Sequence, residues 1–128
     1  MKKMVVVALA GLMLLTGCGG DTKDERAKSV SCEPDASPLT VKAKNTDFDT
    51  DCLASKADSP LQIKFVNEEV DDHNIAIYES KGGKALFTGT VIKKGDINYK
   101  VPAISAGRHY FQCDVHPEEM NGAFVVVG

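Results

Sequence analysis

The chain is short of several things, and each shortage removes a class of function. It has three histidines among 128 residues and no His-x-His pair, which excludes a centre that gathers several metal ions on such pairs. No basic stripe is present: lysines alternate with Asp and Glu, and the formal charge is −3, so the chain is not a nucleic-acid binder. The uncharged apolar run Met4–Leu15 falls short of the about 20 residues a membrane-spanning helix requires. Tracts rich in Met or His, which suit metal hand-off, are absent. From residue 37 onward no window sustains a helical repeat, and the about 90 residues from there to Gly128 suit one small domain with a single core, without room for a second.

What is present begins at the N-terminus. Lys2 and Lys3 followed by the apolar run have the form of a secretory signal. The run ends in Leu15-Thr16-Gly17-Cys18, which resembles a bacterial lipobox. That resemblance implies a signal peptide over residues 1–17 and a lipidated Cys18 anchoring the chain to a membrane, more than one acyl chain being needed for stable anchoring. Ordinary cleavage is the alternative, but it would leave a purposeless exposed thiol. Residues 18–36 are polar and read as a flexible tether. Residues 37–128 then form one domain, exported and held on the outer face of a bacterial membrane or in the periplasm. Without Lys2 and Lys3 the 15 basic residues become 13 against 18 acidic, a net charge of −5. A modestly acidic surface biases encounters toward cationic partners.

Export sets the redox compartment, because disulfides persist outside the cytosol. With Cys18 assigned to lipid, Cys32 and Cys52 remain as a candidate disulfide beside polar, turn-rich sequence. Such a bridge would contribute ~3 kcal/mol in the loop-entropy picture, if geometry permits it. Cys113 is left over, and an odd thiol in an exported chain calls for an explanation. It is either an inert buried thiol or a metal ligand.

The periodicity is that of strands. Leu39–Lys44 and Leu61–Phe65 alternate apolar and polar residues, and His73–Tyr78 places Ile75 and Ile77 on the face of His73. Further strands are expected at Ala85–Thr88, Ile97–Val101, His109–Cys113 and Gly122–Val127, so the class is all-β, a sandwich or barrel. Asp47–Ser59 reads as a loop or one helical turn.

The chemistry lies in Cys113-Asp-Val-His116-Pro-Glu-Glu-Met120-Asn-Gly, together with the distant His73. One thiol, two imidazoles and a thioether are the donors of a blue-copper site, a His2Cys plane with a weak axial Met. Thiolate and thioether suit Cu(I), and imidazole suits Cu(II). Zinc prefers four strong donors, and copper outranks it at such a site.

His73-Asn74, Gly107-x-x-Tyr110-Phe111-x-Cys113 and Cys113-x2-His116-Pro117-x2-Met120-x-Gly122 resemble the cupredoxins, the plastocyanin- and amicyanin-like blue-copper proteins, over roughly Leu39 to Gly128. The resemblance implies a Greek-key β-sandwich of about seven to eight strands, with one type 1 copper at one end held by His73, Cys113, His116 and axial Met120. It further implies that Asn74 ties the two ligand segments together by hydrogen bonding and points its backbone N–H at the Cys113 sulfur, and that His116 is the solvent-edge ligand. The three residues between His116 and Met120 are intermediate between the amicyanin-like and plastocyanin-like spacings. Glu118 or Glu119 is therefore an alternative axial donor, although adjacent carboxylates are usually solvated. His109 shares a strand face with Cys113 but lies about 13 Å along it, which makes it structural rather than a ligand. Asp71 and Asp72 read as a hydrophilic loop.

These residues point to a carrier of single electrons between redox protein partners outside the cytoplasm, with no small-molecule substrate and no enzymatic activity. Copper scavenging, storage or delivery is the alternative. A binuclear copper site is excluded, because it needs two Cys in the ligand loop and only Cys113 is there.

Overall fold

The computed structural model describes residues 30–35 and 37–128. The expected signal peptide, Cys18 and most of the tether lie outside the described residues. Eight strands follow in order: β1 (Leu39–Ala43), β2 (Cys52–Lys56), β3 (Leu61–Asn67), β4 (Ala76–Tyr78), β5 (Ala85–Thr88), β6 (Gly95–Val101), β7 (Gly107–Gln112) and β8 (Asn121–Val127). They build a three-stranded sheet, β1-β3-β6, and a five-stranded sheet, β2-β8-β7-β4-β5. No helix occurs among the described residues. The all-β sandwich expected from the sequence is the fold found.

Alternation explains why these segments pair. In β1, Leu39, Val41 and Ala43 point inward while Thr40 and Lys42 face water. In β3, Leu61, Ile63, Phe65 and Asn67 are buried while Gln62 and Lys64 are exposed. Val41, Ile63 and Phe65 of one sheet meet Ile77, Phe111 and Phe124 of the other in a shared, fully buried core. Phe65 stacks on Tyr99 with centroids 5.8 Å apart and meets Phe48 edge-on at 6.4 Å, geometries that add about 0.5–1.5 kcal/mol per pair beyond burial. β3 pairs antiparallel with β6, and β7 with β8. β1–β3 and β2–β8 are parallel, because the chain crosses from one sheet to the other between them.

Two segments differ from the sequence expectation. Asp47–Ser59 holds strand β2 rather than a loop or helical turn. Its Leu53, Ala54 and Ser55 are all buried, so no alternation marks it. Its state comes from pairing along β8, from Cys52↔Ala123 to Lys56↔Val127. The strand expected over His73–Tyr78 is regular only from Ala76. His73 instead forms an isolated bridge with Ile92, closed by backbone bonds of 3.0 and 2.9 Å.

Cys32 and Cys52 are joined in a disulfide with Cα atoms 6.0 Å apart. Cys32 lies N-terminal to the boundary placed at residue 37, so the bridge spans that boundary and pins the preceding segment to β2. The Arg108 guanidinium adds a bond to the Val30 carbonyl.

After β1 the chain reverses through Lys44–Asp47, with Lys44 N–H on Asp47 O at 2.9 Å and Asp47 N–H on Lys44 O at 3.1 Å. Asn45 and Thr46 occupy the left-handed region at φ 55° and 54°. This is a type I′ hairpin, in which the second central position favours Gly and a β-branched residue is strained. Thr46→Gly keeps the turn's amides and is expected to stabilise the fold by about 1 kcal/mol. A urea midpoint that rises with an unchanged slope would register the gain.

Candidate metal centre

The β7–β8 hairpin brings three of the sequence-identified donors to one pole. Cys113 follows β7 directly, and Met120 directly precedes β8. The intervening loop is closed by Cys113 N–H on Met120 O at 2.9 Å, His116 N–H on Cys113 O at 3.2 Å and Met120 N–H on His116 O at 2.9 Å. The last of these is a single α-turn, which gives the three-residue spacing between His116 and Met120 a structural reason. Asn121, itself buried, donates from Nδ2 to the Pro117 carbonyl at 2.9 Å and the Glu118 carbonyl at 3.2 Å, so the turn cannot splay. Gly122 follows because a Cβ there would lie 2.5 Å from Asp51 O and 2.6 Å from the Phe111 ring.

His73 reaches the same pole from the segment before β4. Donor atoms of His73, Cys113 and His116 all lie within 4.8 Å of one another. His73 Nδ1 is 3.7 Å from Cys113 Sγ, and the two imidazoles are 4.9 Å apart at a 51° tilt. Cys113, His73 and Met120 are fully buried, whereas His116 is half-buried. His116 Nδ1 is nonetheless buried without a hydrogen-bond partner. A buried polar nitrogen in that state is costly unless something binds it.

Asn74, also buried, locks the two ligand segments together. Its Oδ1 accepts from Asp114 N–H at 2.8 Å, and its Nδ2 donates to Gly89 O at 3.0 Å and Asp114 Oδ2 at 3.1 Å. Glu118 and Glu119 are exposed. His109 sits on β7, away from the cluster, with Nε2 3.0 Å from Ser105 O and its ring 6.4 Å from Phe124. Asp71 and Asp72 lie on a surface loop, Asp72 pairing with Lys93 at 3.6 Å.

Three supporting residues escaped the sequence-level reading. Glu69 Oε2 is 2.8 Å from His73 Nε2 and accepts Thr46 N–H at 3.0 Å. The Thr46 amide holds the Glu69 carboxyl below its usual range; burial opposes this, and the contact with His73 reinforces it. Asp114 gathers Tyr78 OH at 2.6 Å and Gln112 Nε2 at 3.0 Å besides Asn74. Burial raises its carboxyl, but these three donors outweigh that and leave it lowered. Tyr78 is pushed up to about 12, chiefly by its bond to Asp114, and stays a donor. Asn67 donates to both Asp71 O at 2.7 Å and Ile92 O at 3.0 Å, bracing the loop behind His73. The signals were an acid four residues before His73 and an acid directly after Cys113, both of which read as ordinary surface charge in a linear chain.

The donor chemistry fits copper. One thiol, two imidazoles and an adjacent buried thioether residue form the set of a type 1 site, and His116 Nδ1 has no hydrogen-bond partner that a metal would have to displace. Comparison with known proteins agrees. Residues 6–126 match the Cupredoxin-like domain family, and the chain belongs to that family. No curated protein sequence matches it. Among solved structures, a reduced auracyanin from Roseiflexus castenholzii superposes with a TM-score of 0.61 at 15% identity, covering 70% of this chain and 96% of that one. Auracyanin A of Chloroflexus aurantiacus, described as a "blue" copper protein, gives 0.61 at 17%, covering 69% and 96%. At these identities the likeness is one of fold. Amicyanin from Paracoccus versutus gives 0.53 at 26% identity, covering 78% and 87%.

Proposed function

We propose that this protein holds one copper ion through His73, Cys113, His116 and Met120 and carries single electrons between redox protein partners outside the cytoplasm. It is not an enzyme in this reading and needs no small-molecule substrate. The observation that carries the proposal is the convergence of one ligand atom each from His73, Cys113 and His116 within 4.8 Å, with His73 Nδ1 3.7 Å from Cys113 Sγ.

Copper supplies a one-electron couple, and the chain's own residues supply rigidity and an exit. His73 is fixed by its bridge to Ile92 and Cys113 by its bond to Met120, so the donors need to move little as charge changes. His116, the half-buried imidazole, is the natural edge for electron passage. Storage or delivery is less favoured, because buried, braced donors are poor at hand-off. The lipidated Cys18, the tether and residence on the outer face of a bacterial membrane or in the periplasm belong to the same proposal. They rest on the lipobox-like Leu15–Cys18 sequence.

The test is to load the purified protein with Cu(II) and record its visible and electron-paramagnetic spectra, then titrate its potential. An intense blue or green thiolate-to-copper band with a reversible one-electron couple supports electron transfer. A colourless copper protein overturns the site. His109→Ala should leave the band unchanged, and its loss there would overturn the ligand set.

A further inference from the structure

Most contacts around His73 only hold it in place, but one brings charge to it. Glu69 Oε2 lies 2.8 Å from His73 Nε2, the ring nitrogen opposite the one that faces Cys113 Sγ at 3.7 Å. His73 is wholly enclosed, and the Glu69 side chain is 19% exposed, so the contact is partly sheltered from water. The carboxylate is itself anchored. Thr46 N–H donates to the same oxygen at 3.0 Å from the left-handed Asn45-Thr46 turn, and Glu69 N–H donates to Asn67 Oδ1 at 2.9 Å. A β-branched residue held at φ 54° is an observed outlier, and such outliers concentrate where function over-determines the backbone.

Resting on the copper reading above, we infer that Glu69 is the positioning residue of His73: an anion, fixed by the Thr46 turn, that holds His73 in the Nε2–H form and biases the metal toward its oxidised state. The chemistry follows from the contacts. An acceptor at Nε2 requires the proton there, which leaves the Nδ1 lone pair directed into the donor cluster. A carboxylate behind a ligating imidazole raises the ligand's basicity, and partners of this kind change metal affinity by about 10–100-fold. A negative charge conveyed through the ring favours Cu(II) over Cu(I). The hairpin turn after β1, far from the ligand loop in sequence, thereby becomes part of what sets the potential. The electron donors that can reduce the site are limited to those strong enough to overcome that bias.

The test compares midpoint potentials of the copper-loaded protein. Glu69→Gln keeps an oxygen able to accept from both His73 and Thr46 and removes only the charge. The expected result is a shift of the Cu(II)/Cu(I) equilibrium toward Cu(I) of about tenfold, which is about 59 mV for a one-electron couple. Glu118→Gln, an exposed carboxylate on the ligand loop, should move it by less than a third of that. Equal shifts in the two variants, or none in Glu69→Gln, would overturn the inference. Nitrogen-15 spectra of the zinc-loaded wild type provide a check that needs no variant. A slowly exchanging proton on His73 Nε2 supports the assignment, and metal on Nε2 with the proton on Nδ1 overturns it. Wild-type protein lacking the thiolate band would instead sink the copper reading, so the two failures are told apart.

Discussion

Cys113→Ser should abolish the intense visible absorption of the copper-loaded protein completely, the largest single effect expected from any substitution in this chain. The band requires a thiolate sulfur bound to copper, and Cys113 is the free cysteine of the described residues. A serine hydroxyl is a harder, far less easily ionised donor and cannot provide that transition. The replacement is nearly isosteric at a fully buried position, and the backbone bond from Cys113 N–H to Met120 O survives it. The fold should therefore persist, at a cost of about 1 kcal/mol. Absorption and circular dichroism of the same sample separate loss of colour from loss of structure. Retained colour in a folded Cys113→Ser protein would eliminate Cys113 as the ligand.

Asn74→Ala is expected to damage the protein twice, through stability and through metal affinity. The Asn74 side chain accepts Asp114 N–H at 2.8 Å and donates to Gly89 O at 3.0 Å and Asp114 Oδ2 at 3.1 Å. Truncation leaves these groups without that partner and opens a small void, at about 1–3 kcal/mol for each group left unpaired in a buried place. Because Asp114 is only partly buried, water can replace some of what is lost. A net loss of about 3 kcal/mol is expected, read as a lower urea midpoint. The ligand segments are also unlatched from each other, so copper affinity should fall by about 10–100-fold, as for other residues that orient ligands. Unchanged affinity alongside lowered stability would show that Asn74 braces the fold without organising the site.

Much of this was legible in the linear chain, for identifiable reasons. Period-two alternation marked β1 and β3 because each has one face in the core and one in water. The donors Cys113, His116 and Met120 were legible because one hairpin loop keeps them close in sequence as well as in space. Cys113, the free cysteine of the described residues, stood out once Cys32 and Cys52 were read as a candidate pair, which the structure joins. β2 was not legible. Leu53, Ala54 and Ser55 are buried in succession, and nothing in five residues announces that they will lie along β8. Glu69 was equally hidden. An acid in the run Glu68-Glu69-Val70-Asp71-Asp72 looks like solvated charge until the fold turns one of the four carboxylates inward.

The sequence by itself therefore determined the class of fold and singled out the candidate donors of a one-metal site. Those depend on residue type and on local spacing. Only the tertiary structure decided that His73 meets the Cys113 loop, that Asn74 and Asp114 latch the two together, and that Glu69 and the Thr46 turn stand behind His73. Apart from Glu69 and His73, four positions apart, these are contacts between residues 23 to 40 positions apart. Such contacts form only when the two sheets close on a common core, which brings otherwise unremarkable polar groups within bonding distance of the ligands.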